Sequence, residues 1–219
     1  MHSKKLFLIS LILKFHLFQA SQTYYEKFLI DHVVTSIKNA ELYISKLNED
    51  VLNLQGMSSD KVRNFLNNIC SFPGAKYLEI GVWQGSTFVS ALYNNSLLAA
   101  TAIDNWSEFT GPKNVFQQNL TTFLPNGLYS FYESDCFKFD LENIKNKINI
   151  YFYDGGNTYQ DQRMAFTYYN SILEDTCIAI VDDYNWFDVQ YGTQVAFEEL
   201  GYRVLFEQFL SSEKKSFTI

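Results

Sequence analysis

Five apolar runs, each carrying a carboxylate at or near its end, constrain this chain more than any other feature. Tyr77–Val82, Leu98–Asp104, Leu128–Asp135, Ile148–Asp154 and Cys177–Asp183 read as strands, and they bring Glu79, Asp104, Asp135, Asp154 and the pair Asp182-Asp183. Helical patterns such as Ser86–Tyr93 and Gln160–Leu173 lie between most of them. Short apolar runs alternating with helices predict an α/β chain with a doubly wound, mostly parallel sheet covered on both faces. In an open parallel sheet, ligands bind outside the carboxyl ends of the strands, where strand order reverses. The acids are therefore expected to line one crevice. Asp and Glu together make up only 24 of 219 residues, so their concentration at strand ends calls for a reason. A last helix near Gly192–Leu200 precedes Tyr202–Leu210, a polar turn at Ser211–Lys215 and the short Ser216–Ile219. These last segments are expected to form a terminal antiparallel hairpin.

Three segments are expected: 1–20, a helical cap over 21–72, and a ligand-binding domain over 73–219. Residues 1–20 show a basic start (Lys4, Lys5), an apolar run from Leu6 to Phe18, and Ala20. That is the layout of an export signal, interrupted by Lys14 and His16 and with Phe18 where a small residue is preferred. The other readings are an amphipathic N-terminal helix packed on the domain, or a weak surface anchor, with a cytoplasmic protein; the run is too short and too charged to span a bilayer as a helix. Tyr24–Leu54 lacks Pro and Gly, and Ile37, Ile44, Leu47, Val51 and Leu54 recur at helical spacing. Either this face covers the sheet or it forms a homodimer seam. Ser58 or Ser59 is expected to cap a further helix over Asp60–Cys70.

A net charge of −7 argues against nucleic acid as a partner, since phosphate binding needs clustered Lys and Arg. The expected partner is a small-molecule substrate. Cys70, Cys136 and Cys177 are odd in number, lie beside apolar runs and read as core thiols. Three glycosylation sequons begin at Asn94, Asn105 and Asn119, one of them beside the expected ligand site.

The loop EIGVWQGST, residues 79–87, places Gly81 and Gly85 around a strand-to-helix turn, where a ligand can approach backbone. Ser86 opens the helix, whose exposed N–H groups favour a carboxylate. Asp104 follows Gly85 by 19 residues, at the end of the next strand, as expected of an acid that takes two ribose hydroxyls. The loop lacks the G-x-G-x-x-G of a dinucleotide site, and the strand-end acids would repel a pyrophosphate. A cationic, nucleoside-containing cofactor suits them. Asp135 is then placed to accept from an adenine amino group, with Trp106 or Phe137 available to stack on the ring.

With YLEIGVWQGST at 77–87, AIDNW at 102–106, YDGGNTY at 153–159 and IVDDYNW at 180–186, the chain resembles class I methyltransferases that use S-adenosylmethionine. It is most similar to the bacterial and viral group that includes macrolide-sugar and catechol-type O-methyltransferases, over roughly residues 57–200. The resemblance implies a Rossmann-like seven-stranded sheet with a final antiparallel strand. It also implies methyl transfer to a small acceptor, through a hydroxyl oxygen. Glu79 and Asp104 are expected to hold the cofactor, Asp154 to sit nearest the methyl group, and Asp182, Asp183 and Asn157 to position the acceptor.

Metal-dependent members of the group hold a divalent cation at positions matching Asp154, Asp182 and Asp183. Oxygen-only ligation of that kind suits Mg²⁺ or Ca²⁺. Members without metal keep similar acids, so both arrangements stay open. Many relatives carry an acid and a His where this chain has Gly156 and Asn157, and its three histidines, His2, His16 and His32, all lie outside the motifs. Proton removal would fall to Asp154, Asp182 or a metal-lowered hydroxyl. The other class of reading is a module that binds cofactor or a partner without turnover.

Overall fold

A computed structural model of the chain describes residues 4–14 and 23–213. Chain order begins with strand β1 (Lys4–Leu13) and helices α1 (Tyr24–Glu41), α2 (Glu49–Leu52) and α3 (Asp60–Ile69). Alternating elements follow: β2 (Lys76–Ile80), α4 (Ser86–Leu92), β3 (Ala99–Asp104), α5 (Lys113–Phe123) and β4 (Ser130–Glu133). The second half holds β5 (Ile148–Tyr153), α6 (Tyr159–Thr167), β6 (Leu173–Val181), α7 (Phe187–Glu199) and β7 (Arg203–Glu213). The seven strands make one sheet in the order β4-β3-β2-β5-β6-β1-β7. Strand order reverses between β2 and β5, whose residues pair in parallel from Tyr77↔Ile150 to Ile80↔Tyr153. The α/β class, the seven strands and the mostly parallel sheet agree with the sequence reading.

The N-terminal segment contributes a strand to the sheet. Its apolar run forms β1, antiparallel to β6 (Leu8↔Val181, Ile9↔Ile180, Leu11↔Ile178) and to β7 (Leu6↔Ser211, Leu8↔Phe209). The reason lies in what a continuous apolar run can satisfy. A strand covered on both faces needs apolar residues at every position, so its sequence cannot be distinguished by pattern from a signal's apolar stretch. Phe7, Ile9 and Leu11 enter the core under α1, α3 and α4, while Leu8 and Ile12 enter the core under α6 and α7. Lys14, read as an interruption, caps the far end of the strand by donating from Nζ to the Leu173 carbonyl (3.0 Å) and to the Asn170 carbonyl. The partner expected for β7 was Ser216–Ile219; β1 fills that place, and Ser216–Ile219 lies outside the described residues, as do His2, His16 and Ala20.

Of one long helix or two shorter ones over Tyr24–Leu54, the structure has two, α1 and the single turn α2, before α3. A Thr23–Glu26 capping box starts α1, and Ser59 caps α3 through the Val62 N–H. Of the expected seam, Ile37 and Val51 are buried, Leu47 and Leu54 pack against the core, and Ile44 is exposed, so this face is used within the chain. The guanidinium of Arg63, fully buried, ties the cap together by donating to the carbonyls of Leu52 and Leu54 and to Ser58 Oγ. Cys70 and Cys177 are buried and Cys136 is half-buried, all free thiols, with burial pushing the Cys136 pKa up to about 12. Among the described residues no helix is long and apolar enough to cross a membrane.

Leu11 has no exposed surface. Leu11→Ala is expected to destabilise the protein by about 2–5 kcal/mol in urea unfolding, the range for a buried leucine that leaves a cavity. An unchanged midpoint would mean that this segment is not part of the folded sheet.

Candidate active site

The turn after β2 is held by a carboxylate from the next strand. Asp104 Oδ2 accepts from the backbone N–H of Val82 (2.9 Å) and of Trp83 (2.8 Å), and Oδ1 accepts from the Trp106 N–H (2.7 Å). An ionised carboxylate has about four lone-pair sites, two on each oxygen, so these three bonds orient Asp104 and leave one acceptor site, on Oδ1. Gly81 and Gly85 both take φ +83, and a Cβ at Gly81 would lie 2.1 Å from the Asp154 carbonyl oxygen. The glycine is therefore what lets β2 and β5 run side by side into the two loops that follow them. Asn119, one of the sequon residues, donates from Nδ2 to the Gln84 carbonyl (2.8 Å) and so serves the same turn.

Strained backbone concentrates at this edge. Trp83, Trp106, Phe109, Thr110 and Asp183 all have positive φ, in the loops after β2, β3 and β6. Left-handed backbone costs a non-glycine residue about 1–2 kcal/mol, and such residues tend to gather where a site is being shaped.

Glu79 lies deeper than the sequence suggests. It is fully buried inside β2, where its carboxylate accepts from Tyr77 Oη (2.6 Å) and from Thr87 Oγ1. Burial pushes its pKa up to about 8, against the opposing pull of those two hydroxyls. Ser86 and Thr87, at the start of α4, are also buried. Asp135 is on the surface, paired with Lys138 Nζ at 2.9 Å and accepting from the Phe137 N–H, and both contacts lower its pKa. Phe137 is half-buried, its ring 6.4 Å from that of Tyr153.

Trp106 corrects an expectation. It does not offer a free face for stacking: the ring is buried against Phe116 (5.2 Å between centroids) and Phe131, and Nε1 donates to the Trp83 carbonyl at 2.8 Å. An indole whose N–H finds a buried partner is a structural clamp, here on the β2 turn.

For the acids at the ends of β5 and β6 the sequence leaves a bound divalent cation and a metal-free arrangement both open. Asp154, Asp182 and Asp183 do meet at the ends of β5 and β6, close enough for their carboxyl groups to perturb one another. Between them, however, comes the ammonium of Lys5. Its Nζ lies 2.6 Å from Asp182 Oδ2 and 3.5 Å from Asp183 Oδ1, and the lysine is only 7% exposed. β1 runs antiparallel to β6, so the beginning of β1 reaches the carboxyl end of β6. The backbone fixes it there, with the Tyr184 N–H donating to the Leu6 carbonyl (2.7 Å) and the Leu6 N–H to Asn185 Oδ1 (3.2 Å). Asn157 Nδ2 donates to Asp183 Oδ2 at 3.1 Å, and the Asp183 N–H donates to Asp182 Oδ1 at 2.6 Å. Burial and the neighbouring Asp182 raise the Asp154 pKa well above the carboxylate range. Burial also raises that of Asp182, with Lys5 opposing it. Lys5 itself is shifted upward, because the surrounding carboxylates outweigh its burial and keep it charged.

Asp154, Asn157, Asp182 and Asp183 thus form one cluster; Gly81, Gly85 and Asp104 form the adjoining turn; Glu79 lies beneath it. Lys5 was missed. Its chemistry was legible only in the rule that a charge in a buried apolar strand must find a partner, and that rule applies only once the run is known to be a strand. His32 lies far from this edge, against the Ile69 carbonyl at 3.0 Å in the cap.

The Glu79 shift has a pH consequence. A folded pKa raised above the unfolded value means that the folded state holds its proton more tightly, so stability is full below about 4.5 and falls as pH rises through about 8. Wild-type melting temperature is expected to fall across that window, at up to about 1.4 kcal/mol per pH unit. Glu79→Gln, which carries no titrating proton, should flatten the curve; parallel curves for the two proteins would remove this role.

Residues 78–184 match the family model described as a methyltransferase domain. No curated protein sequence matches the chain. Among solved structures, it is similar to a precorrin 8W decarboxylase from Methanobacterium thermoautotrophicum, with a TM-score of 0.55, 15% identity and coverage of 77% of this chain and 95% of that one. An O-methyltransferase from Bacillus cereus in complex with S-adenosylhomocysteine matches at TM-score 0.50 and 15% identity, covering 81% and 84%. The O-methyltransferase of tomaymycin synthesis from Streptomyces achromogenes, in complex with S-adenosylmethionine, matches at TM-score 0.51 and 13% identity, covering 82% and 87%. The chain spans about half the length, 53%, of a methyltransferase-like protein from Thermoplasma acidophilum that it also matches. Residues 78–184, which hold the strand-end site and the glycine turn, thus match a methyltransferase domain, and the sheet shares its fold with the cofactor-bound O-methyltransferases named above.

Proposed function

We propose that this chain transfers a methyl group from S-adenosylmethionine to a hydroxyl oxygen of a small acceptor. The observation that carries the reading is the turn at the β2–β5 reversal, where two positive-φ glycines and the oriented carboxylate of Asp104 adjoin the Asp154–Asp182–Asp183 cluster. The donor set fits the cofactor: oxygen acceptors suit a cation, an amine and ribose hydroxyls, and no pyrophosphate has to be accommodated. When bound, the cofactor supplies an electrophilic methyl group on a sulfonium.

The chain's own residues have four tasks. Asp104 accepts from a ribose hydroxyl through the free site on Oδ1, and the turn from Gly81 to Gly85 brings backbone close to the ligand. Asp135 and Phe137 flank the β4 end, where the adenine would lie. Asn157 and Asp183 hold the acceptor by hydrogen bonds, so that catalysis is mainly alignment of the two reactants. In its ionised form Asp154 or Asp182, made more basic by burial, takes the proton that the acceptor hydroxyl releases.

Isothermal titration tests the cofactor reading. Wild type is expected to bind S-adenosylhomocysteine, and Asp104→Ala to lose at least tenfold in affinity, about 1.4 kcal/mol. No binding by the wild type, or equal binding by both proteins, would sink the proposal. Binding without S-adenosylhomocysteine release over a panel of phenols, sugars and amines would favour a module without turnover.

We also propose that the N-terminal segment is retained, because cleavage after Ala20 would remove β1 and Lys5 together. Intact-mass measurement of the purified protein is expected to include residues 4–13; a chain beginning after Ala20 would count against it.

A further inference from the structure

We propose that the Lys5 ammonium is the resident cation of the acceptor site, standing where metal-dependent relatives need a divalent ion, and that it positions Asp182 and Asp183. Three carboxylates converge on the ends of β5 and β6, and such a group requires positive charge to stay together away from water. A divalent ion would need their oxygens at about 2.0–2.6 Å around one point. That arrangement does not fit here, because Nζ already lies 2.6 Å from Asp182 Oδ2 and 3.5 Å from Asp183 Oδ1. A second cation would meet an ammonium across a contact of a few ångströms. Among the described residues, no group of His, Cys, Asp or Glu has the geometry to hold a metal ion.

The lysine is built in rather than incidental. It is 7% exposed, its strand is hydrogen-bonded on both sides, and Leu6, its neighbour, is tied by backbone to Tyr184 and by Asn185 to the loop after β6. The same loop contains Asp183 at φ +51, a strained position whose side chain is held between Asn157 Nδ2 and Lys5 Nζ. Lys5 acts through these two aspartates and is a positioning residue. Its charge is fixed by fold rather than recruited from solution, so the site needs no divalent cation to be assembled.

The test compares wild type, Lys5→Met and Lys5→Arg by thermal unfolding in EDTA, in millimolar Mg²⁺ and in millimolar Ca²⁺. Wild type and Lys5→Arg are expected to melt at the same temperature in all three. Lys5→Met should melt lower in EDTA and be raised by either ion, as the bared carboxylates take up the cation. On an accepted substrate, Lys5→Met should raise the acceptor KM at least about tenfold while leaving S-adenosylhomocysteine affinity unchanged, and the divalent ion should restore part of the loss. A wild-type protein stabilised by Mg²⁺ or Ca²⁺ overturns the proposal, even if Lys5→Met fails to fold. So does a folded Lys5→Met that ignores both ions and keeps the wild-type acceptor KM. The cation readout needs no turnover, so absence of methyl transfer would count against the acceptor reading on which the positioning role rests, and not against Lys5 as the resident cation.

Discussion

The seating of β1 between β6 and β7 controls more of this molecule than its ten residues suggest. Pairing on both edges satisfies the backbone of β1 and joins β7 to the rest of the sheet. Its alternating side chains fill cores on both faces, from Phe7, Ile9 and Leu11 on one to Leu8 and Ile12 on the other. Because it runs antiparallel to the other described strands, its beginning meets the carboxyl ends of its neighbours. A lysine near its start is thereby delivered to the one edge where carboxylates accumulate. The two ends of the strand are closed by lysines with different partners, Lys5 on carboxylates and Lys14 on backbone carbonyls.

At the carboxyl edge, the structure devotes unusual resources to holding loops still. Asp104 binds three backbone N–H groups, Trp106 clamps the Trp83 carbonyl, and Asn119 reaches back to Gln84. These bonds hold a turn in which Trp83 and Trp106 both have positive φ. A turn prepared in this way loses little freedom when a ligand arrives, which is the physical basis of preorganisation. Glu79 performs a related task from beneath, fastening α4 to β2 through Thr87 and Tyr77.

The apolar runs ending in acids were legible because burial on both faces and a ligand edge each leave a mark on composition. Helix boundaries were legible where caps were present, as at Ser59. What the runs did not reveal was which of them was a strand. Leu6–Leu13 satisfies the requirements of an export signal and of a doubly buried strand equally well, since both reduce to uninterrupted apolar surface. Nor could spacing distinguish a tryptophan that stacks on a ligand from one that clamps a turn, because that depends on whether Trp106 meets Phe116 and Phe131.

By itself, the sequence determined the α/β class, the glycine turn, the strand-end acids and the family that these motifs resemble, because each is a local pattern dictated by burial, backbone freedom or charge. Tertiary structure alone decided what neutralises those acids. Lys5 and Asp182 are 177 residues apart along the chain, and no periodicity connects them. They meet because an antiparallel strand from the N-terminus pairs with β6, a long-range event whose register brings a buried ammonium to the acids for which the sequence left a metal ion open.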